Sequence, residues 1–403
     1  MSNYTNEQKF YIQQKELEKD LDERLSSDDL PVANIMVAGI TGTGKSTLLN
    51  AVFGSEMAAT GSGKPVTEHI DEYQHDDIPI HIWDTVGLEL DSEKTRESIR
   101  SIKKTIAEKA SSDDQYDRIH AIWYCINSGS NRYQGAELEF IKELHQIGVP
   151  FIIVLTQCAG DEAEVNAFAE KIKEINSSMK MDDIRIVQVL AKPVKYRGMT
   201  EPISPFGLDT LVNVTLEMLP GFIKSGFIAA QKVSQNEKRG QCEEIISEYV
   251  WAAKIGFWDH VPIINVLITD KNIMKMFSKL GKMYNTVLSQ ESIDRVRRSS
   301  GVDFENKFFG LLSPIDMGYS KKIRNLLEQK KADGFSVDVG NLSSNDRAAH
   351  MIAFYGYTFI DSIEELWKEF TEEQLKNVDM VVENLISIIN RKLRERKARR
   401  GKR

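Results

Sequence analysis

The sequence is poor in cysteine, and this scarcity excludes two classes of small, covalently stabilised domain. Its 403 residues include only Cys125, Cys158 and Cys242, and no two of them form a Cys-x-x-Cys pair. A disulfide framework or a structural zinc site needs more cysteines at closer spacing. We therefore expect three buried thiols in a protein of the reducing cytosol.

A long uninterrupted apolar run is also missing. The most apolar long window, residues 255–268, contains polar residues such as Asp259 and His260. It falls short of the roughly 18 apolar residues that a membrane-spanning helix needs. Residues 1–28 are polar and lack the apolar core of a signal peptide. We predict no membrane span and a cytoplasmic location, with peripheral association at a membrane left open.

Positive charge is not in excess. The sequence has 52 Lys and Arg against 60 Asp and Glu, a formal net charge of −8, which argues against wholesale nucleic-acid binding. Hydrophobic residues make up 41% and charged residues 28%, as in ordinary globular proteins. The length provides for roughly two or three domains, each with its own core.

The strongest motif present is a phosphate-binding loop at residues 39–47. Its sequence, Gly-Ile-Thr-Gly-Thr-Gly-Lys-Ser-Thr, matches the pattern Gly-x-x-x-x-Gly-Lys-Ser/Thr at every fixed position. The flanking apolar runs predict a strand before it and a helix after it, so that backbone N–H groups and a helix N-terminus would surround phosphates. Lys45 is expected to reach the β- and γ-phosphates, and Ser46 to bind Mg²⁺. The predicted nucleotide-binding residues of this loop are Gly39, Thr41, Gly42, Thr43, Gly44, Lys45, Ser46 and Thr47.

Two later segments would supply the remaining metal and γ-phosphate contacts. A predicted strand ends in Asp84-Thr85-Val86-Gly87, whose carboxylate would hold Mg²⁺ through water and whose glycine N–H would bind the γ-phosphate. Thr67 follows a Gly-rich segment and would contact both the metal and the γ-phosphate as a switch residue. A flexible hairpin loop with an ordinary threonine is the alternative. The predicted catalytic residues are Lys45, Thr67 and Gly87, and the predicted metal ligands are Ser46, Thr67 and Asp84.

The base-reading part of the sequence is incomplete. Residues 156–161, Thr-Gln-Cys-Ala-Gly-Asp, follow an apolar strand where the guanine-reading pattern Asn/Thr-Lys-x-Asp belongs. Gln157 takes the place of the lysine, and Ala159 stands where the aspartate is expected. Asp161 either reads the base from a longer loop or caps the next helix. A later Leu-Ala-Lys turn would present the Ala191 N–H to the guanine O6. The base contacts predicted here are Thr156, Gln157, Asp161, Ala191 and Lys192.

The group that orients the attacking water is missing from its usual place. Gly87 is followed by Leu88, where many GTPases carry a glutamine. Leucine has no polar group and cannot orient water. We expect slow intrinsic hydrolysis, or help from Glu89, Thr43 or Arg132, or from a residue of a partner or of a second copy of the chain.

The order of these motifs resembles the translation-factor-related GTPases. The likeness is greatest to a bacterial group of Era-like and dynamin-like GTPases akin to the interferon-inducible immunity-related GTPases, and it covers roughly residues 30–220. Besides the phosphate loop it rests on residues 63–67, 83–89 and 122–127. It implies an α/β fold with a P-loop GTPase-type, mostly parallel sheet flanked by helices, Mg²⁺ as cofactor, and GTP and GDP as ligands.

The pattern of apolar residues predicts four parts. Residues 1–29 would form an N-terminal helix, residues 30–220 the GTP-binding domain, residues 221–390 an all-α domain, and residues 391–403 a basic tail. The all-α part is similar to a small helical domain of unknown function that often follows bacterial GTPases.

Two features of the C-terminal half concern partners. A predicted helix at residues 270–288 is apolar on one face and lysine-rich on the other, which suits either packing in a bundle or an anionic membrane surface. Residues 391–403 carry nine basic residues and one acid, which favours binding of anionic lipid or RNA phosphates unless the tail is merely solvated.

These observations predict a GTPase that hydrolyses GTP to GDP and phosphate with Mg²⁺ and acts as a slow conformational switch. Membrane association and self-assembly, for instance as a homodimer that completes the site, belong to this hypothesis. Two alternatives stay open: an RNA- or ribosome-associated assembly GTPase, and a P-loop nucleoside triphosphatase that is not selective for guanine.

Overall fold

The computed structural model describes residues 29–54, 64–67, 70–75, 78–85, 92–110, 112, 114–130, 133, 135–254, 262–286, 288–299 and 344–400. These residues form two compact units. The first, which we call the sheet unit, comprises the described residues of 31–235. The second, the helical unit, comprises the described residues from 236 onward together with Asp29 and Leu30. The predicted N-terminal helix lies outside the described residues.

The sheet unit is built on a seven-stranded sheet with the order β2-β3-β4-β1-β5-β6-β7. Strands β4, β1, β5, β6 and β7 are parallel, whereas β2 and β3 pair antiparallel at one edge. The predicted mostly parallel α/β sheet is therefore confirmed. The strands are β1 (Ala33–Gly39), β2 (Lys64–Thr67), β3 (Ile70–His75), β4 (Ile78–Thr85), β5 (Ala121–Asn127), β6 (Phe151–Thr156) and β7 (Arg185–Gln188).

Near-continuous apolar sequence explains the central strands. β1 and β6 are buried at every position, because helices cover both faces of a parallel sheet. The chain runs from β1 to β4 on one side and later to β5 on the other, so a crevice opens at the carboxyl ends of these strands. The helices of this unit are α1 (Lys45–Phe53), α2 (Ser92–Ala110), α3 (Ala136–His145), α4 (Glu162–Ser178), α5 (Leu208–Met218) and α6 (Gly221–Ala230).

Helix α6 extends the sheet unit beyond the boundary predicted at residue 220. It packs on β1 and β4. Gly226 approaches the strands so closely that a Cβ atom there would overlap the carbonyl oxygen of Pro31. Just after the helix, the backbone N–H of Lys232 donates to the Val52 carbonyl at 2.7 Å. The sheet unit therefore ends near Gln235, because the apolar face of α6 is covered by the sheet.

All three cysteines are buried and free of disulfide bonds, as predicted. Burial raises the pKa of the Cys125 thiol to about 12, so this group stays protonated at neutral pH. Within the described part of the chain, no helix combines the length and the apolar character needed to cross a membrane.

A buried carboxyl group lies behind β5. Glu137, in the first turn of α3, is 6% exposed and accepts a hydrogen bond from the Tyr124 hydroxyl at 3.2 Å. Beside it the Tyr133 hydroxyl donates to Asn176 of α4. Burial raises the pKa of Glu137 from 4.5 to about 7. Between these two pKa values the folded state holds a proton that the unfolded state has lost. The free energy of unfolding therefore falls as pH rises from about 4.5 through 7.

We expect the substitution Glu137→Gln to stabilise the protein at pH 8 by on the order of 2 kcal/mol, since it removes a buried charge but keeps the acceptor for Tyr124. At pH 5 the two proteins should unfold at nearly the same urea concentration. The matched control is Glu139→Gln, an exposed position on the same helix, which should show no pH-dependent difference. A less stable Glu137→Gln protein at pH 8 would contradict the expectation.

The helical unit contains no strand among its described residues, in agreement with the predicted all-α C-terminal part. Arg239 joins two of its helices through ion pairs to Glu364 at 2.6 Å and Asp361 at 2.9 Å. Tyr284 adds a hydrogen bond to Glu364 at 2.9 Å. The helices are α7 (Gln235–Lys254), α8 (Pro262–Met283), α9 (Gln290–Ser299), α10 (Ser344–Glu369), α11 (Glu372–Leu375) and α12 (Val378–Arg400).

The helix with one lysine-rich face is α8, and its apolar face is used for packing. Phe277 stacks on Phe359 of α10 with ring centroids 4.2 Å apart. Lys282, on the polar face, pairs with Asp29 at 3.0 Å. The bundle interpretation therefore accounts for this helix. Its buried apolar residues are Ile273, Met276, Phe277, Leu280 and Met283.

The predicted basic tail begins inside a helix, because α12 continues to Arg400. Two of its basic residues are paired with an acid of α10: Arg391 and Lys392 both contact the carboxylate of Glu365, Lys392 at 2.7 Å. Arg391 also pairs with Glu395 at 3.3 Å. The first turn of the basic segment therefore helps to join two helices.

Candidate functional site

The phosphate loop joins β1 to α1 at the carboxyl edge of the sheet. Three of its glycines have positive φ angles, Gly39 at 144°, Gly42 at 83° and Gly44 at 86°, a region that favours glycine. At Gly39 a Cβ atom would also overlap the carbonyl oxygen of Cys125 in the neighbouring strand. These angles turn the loop, and Gly44 serves as the N-cap of α1, whose free N–H groups face the crevice.

Lys45 is the cation of the site. It is 9% exposed, and its Nζ donates to the carbonyl oxygen of Gly39 at 2.8 Å. Asp84, at the end of β4, lies within its electrostatic reach. Burial raises the pKa of Asp84 to about 6, while Lys45 lowers it and Asp71 raises it further. The site thus combines one buried ammonium group with a carboxyl group that is costly to ionise without a cation beside it.

Two buried oxygens at the end of β4 suit a hard divalent cation. Among the described residues, neither the Asp84 Oδ1 nor the Thr85 Oγ1 has a hydrogen-bond partner. Buried polar atoms without partners are costly, and an ion or its water shell would satisfy them. Ser46, whose hydroxyl is exposed at the start of α1, lines the same cleft. Carboxylate and hydroxyl oxygens are the ligands that Mg²⁺ prefers, so the donor set fits this ion.

Thr156 and Gln157, at the end of β6, are bonded to the phosphate loop. The Thr156 hydroxyl lies 2.5 Å from the Thr43 carbonyl oxygen, and Gln157 Nε2 donates to the Gly42 carbonyl at 2.9 Å. Gln157 has a φ of 57°, which is uncommon outside glycine. Ser128 donates to its carbonyl at 3.1 Å and helps to hold this conformation. The two residues therefore position the loop.

Asp161 caps the helix that follows it, which is the second of the two roles expected for this residue. Its carboxylate accepts hydrogen bonds from the N–H groups of Ala163 at 2.9 Å and Glu164 at 3.2 Å, as N-cap of α4. It does not line the cleft. The expectation that Asp161 reads the base is therefore not supported, because its oxygen is already used at the helix terminus. Ala159, at the usual aspartate position, does line the cleft.

A single cleft of about 630 Å³ unites these features. Of the residues predicted from sequence, the structure brings together Thr41, Gly42, Gly44, Lys45, Ser46, Thr47, Asp84, Thr156, Gln157, Ala191 and Lys192. Gly39 and Thr43 shape the loop from behind, and the Thr43 hydroxyl donates to Ile40 at 2.8 Å.

Several predicted residues stay untested. Gly87, Leu88, Glu89 and Arg132 lie outside the described residues. For Thr67 the structure describes the backbone, at the end of β2, but not the side chain. The switch and water-orienting contacts of this part of the site therefore remain predictions.

Sequence reasoning missed several residues that line the cleft. Asp71, on β3, pairs in register with Asp84 on β4. Its position opposite Asp84 follows from strand register, which the sequence did not reveal. The others are Thr85, at the end of β4, and Leu190, Val194 and Tyr196, from the loop after β7. An aromatic residue close behind the Leu-Ala-Lys turn was the available signal for Tyr196.

The parallel sheet, the phosphate loop at its switch point and Asp84 at the end of β4 define a P-loop GTPase domain. In agreement, residues 34–157 match the model of the family described as 50S ribosome-binding GTPase. The sequence-based recognition of such a domain, followed by a helical region, is confirmed.

Two relatives and one solved structure illustrate the likeness. The chain is 23% identical over 297 residues to the mouse Interferon-gamma-inducible GTPase 10, covering 70% of this chain and 66% of that protein. It is 29% identical over 153 residues to the tRNA modification GTPase MnmE of Dichelobacter nodosus, covering 33% of this chain and 31% of that one. The crystal structure of a probable GTP-binding protein engB is matched over 48% of this chain and 99% of its own, at 20% identity and a TM-score of 0.32. The chain thus spans less than two thirds of the length of either relative.

Proposed function

We propose that this protein binds GTP and GDP with Mg²⁺ and hydrolyses GTP slowly, as a conformational switch. One observation carries the proposal: a single cleft joins a complete phosphate loop to the buried carboxyl group of Asp84. The relatives support the nucleotide, since both are named as GTPases.

The phosphate half of the reaction is performed by the loop and Lys45. The ammonium group would leave the Gly39 carbonyl and bind the β- and γ-phosphates, whose negative charge it neutralises. The N–H groups at the start of α1 would hold the phosphates in line for attack by water. Because the loop is fixed by hydrogen bonds from Thr156 and Gln157, little reorganisation is needed.

Ser46, Asp84 and Thr67 would hold Mg²⁺, with Asp84 acting through water. When bound, the ion neutralises charge on the β- and γ-phosphate oxygens. The unsatisfied oxygen of Asp84 supports this assignment, since its ionised form would gain a cation to balance it. Thr67 and Gly87 would approach the γ-phosphate only in the triphosphate state, which is the basis of the proposed switch.

A slow rate follows from Leu88, which cannot orient water. Of the substitutes considered, Thr43 is engaged with the Ile40 carbonyl, which argues against it. A residue supplied by a second copy of the chain or by another partner would explain how such a site reaches full activity, and a homodimer is therefore part of the proposal.

The test is GTP hydrolysis by the full chain with Mg²⁺ or EDTA. We expect Asp84→Asn to lower the Mg²⁺-dependent part of GTP affinity and the hydrolysis rate by roughly 10- to 100-fold, the usual cost of losing a group that acts through the water shell of a metal. Asp182→Asn, at an exposed position of the same unit, is the control and should behave as the parent protein. Equal Mg²⁺ dependence in Asp84→Asn and the parent would refute the metal assignment.

An RNA- or ribosome-associated role is the second candidate function. The family description names the 50S ribosome, and one relative is a tRNA modification GTPase. The basic end of α12 supports this candidate, although Arg391 and Lys392 are already paired with Glu365. Membrane association has less support, since the apolar face of α8 is buried in the helical unit.

One pair of assays separates these candidates. Co-sedimentation with anionic vesicles, with and without a GTP analogue, tests the membrane. Retention on ribosomes or RNA, compared with a protein in which Arg399, Arg400, Lys402 and Arg403 are changed to glutamate, tests the basic end. Absence of vesicle binding in both nucleotide states would exclude the membrane version.

A further inference from the structure

We infer that the nucleotide base is held by stacking on Tyr196 and by the backbone N–H of Ala191, without a carboxylate that reads N1 and N2 of guanine. The inference deepens the proposed function and rests on it. It assigns the substrate class as purine nucleoside triphosphates that carry an oxygen at C6, with the 2-amino group unread.

Neither of the two positions at which the sequence could place the base-reading carboxylate provides one. Ala159 occupies the position from which an aspartate would face the base; it is 6% exposed and lines the cleft. Asp161 lies outside the cleft and accepts two N–H bonds at the start of α4. Among the described residues that line the cleft, the acids are Asp71 and Asp84, which face each other across β3 and β4 at the metal end. No acid of that set lies at the base end.

Gln157 cannot supply the missing reading either. Its side-chain amide donates to the Gly42 carbonyl at 2.9 Å, and its Cγ and Nε2 pack over Gly44. The Thr156 hydroxyl is likewise directed at backbone carbonyls, of Thr43 and of Ile126 at 3.1 Å. The side chains after β6 are thus bonded to the protein itself, and base recognition falls to the neighbouring wall of the cleft, which the loop after β7 forms.

That wall is the loop of residues 190–206, which is fixed by its own hydrogen bonds. Leu190 and Phe206 exchange backbone hydrogen bonds at 3.0 and 3.1 Å, and Val194 and Ile203 do so at 3.2 and 2.8 Å. The Tyr196 carbonyl accepts the N–H of Met199 at 3.1 Å. The loop therefore holds the Tyr196 backbone in a tight turn that lines the cleft.

Tyr196 has the surface that stacking requires. Its side chain is 49% exposed although it lines the cleft, so a planar ligand can cover its ring. Stacking on an aromatic ring accepts any base, since every base has a π-face. Selectivity is then left to Ala191, whose N–H suits the O6 acceptor of guanine or hypoxanthine and opposes the N6 donor of adenine.

The first test compares nucleotides on the unsubstituted chain of 403 residues. GTP and ITP differ only by the 2-amino group, so we expect their dissociation constants to agree within about threefold, whereas ATP should bind about tenfold more weakly because two donors then face each other. A preference of tenfold or more for GTP over ITP would overturn the inference, since it requires an acceptor that reads the amine.

The second test substitutes Tyr196 and introduces a carboxylate at Ala159. Tyr196→Ala should weaken GTP and ITP equally, by about tenfold, the usual value of one stacked base, while inorganic triphosphate binds unchanged. Tyr196→Phe should restore the affinity. The control is Tyr116→Ala, at a similarly exposed tyrosine of the same unit that does not line the cleft. Ala159→Asp should create a preference for GTP over ITP. Unchanged nucleotide affinity in Tyr196→Ala would overturn the stacking.

These outcomes separate the inference from the proposed function. If inorganic triphosphate and all nucleotides fail to bind, the proposed function itself is wrong and the inference falls with it. If triphosphate binds and Lys45→Ala abolishes this binding, the proposed phosphate site stands. The ratio of GTP to ITP affinity by itself then decides the inference.

Discussion

Replacing Lys45 with alanine is expected to lower the rate of GTP hydrolysis by roughly 10²- to 10³-fold, the usual cost of removing one preorganised donor to a developing negative charge. The ammonium group is buried, donates to the Gly39 carbonyl at 2.8 Å and lies near Asp84, whereas Lys192, the other lysine of the cleft, comes from the loop after β7. The same substitution should also lower the affinity for GTP in the presence of Mg²⁺. Phosphate release under single-turnover conditions measures the first effect, and titration with a fluorescent nucleotide measures the second.

Lys142→Ala is the matched control for this prediction, because Lys142 is exposed on α3 and does not line the cleft. It should leave both measurements unchanged. Thermal unfolding of the two variants shows whether either loses its fold. If Lys45→Ala hydrolyses GTP as fast as the control, the phosphate loop is not the site of the reaction.

Placing an alanine at Gly226 is expected to destabilise the sheet unit by about 3 kcal/mol, the upper end of the cost of overpacking. The added methyl group would overlap the Pro31 carbonyl oxygen and approach that of Pro79 at 3.5 Å. Both are backbone atoms at the starts of β1 and β4, so they cannot rotate away. Native-state hydrogen exchange of the β1 and β4 amides measures the loss.

The control is Gly221→Ala on the same helix, where a Cβ atom has no neighbour within 4 Å among the described residues. There alanine should stabilise the protein by about 0.4 to 1 kcal/mol, because it reduces the conformational entropy of the unfolded chain at a backbone position that it can adopt. The two substitutions are chemically identical but should act in opposite directions. Equal effects at both positions would mean that α6 is not held against the sheet.

The phosphate loop could be recognised from sequence because its geometry is local. Three glycines, a lysine and a serine at fixed spacing determine which backbone N–H groups converge, whatever the rest of the chain does. The central strands were also recognisable, since a strand covered by helices on both faces is apolar at successive positions, as β1 and β6 are. A helix after Asp161 was also expected, and α4 (Glu162–Ser178) begins directly after this residue, because Asp161 is a strong N-cap.

Asp161 also shows where the sequence stopped being sufficient. A carboxylate two residues beyond its usual place is compatible with reading a base and with capping a helix, and the choice depends on where the helix begins in space. The structure directs the oxygen to the N–H groups of Ala163 and Glu164. Asp71 and Tyr196 were missed for a related reason, because strand register and loop pairing bring them to the cleft.

The sequence by itself determined the class of site: a phosphate loop at a strand-to-helix turn, with an aspartate at the end of a neighbouring strand. These are short-range patterns that the chemistry of phosphate and metal binding imposes directly. Only the tertiary structure decided that α6 belongs to the sheet unit, that the apolar face of α8 is buried, and that Tyr196 lines the cleft whereas Asp161 does not. Those outcomes depend on contacts between residues far apart in the chain. An amphipathic pattern or a single side chain does not show which distant residue it will contact.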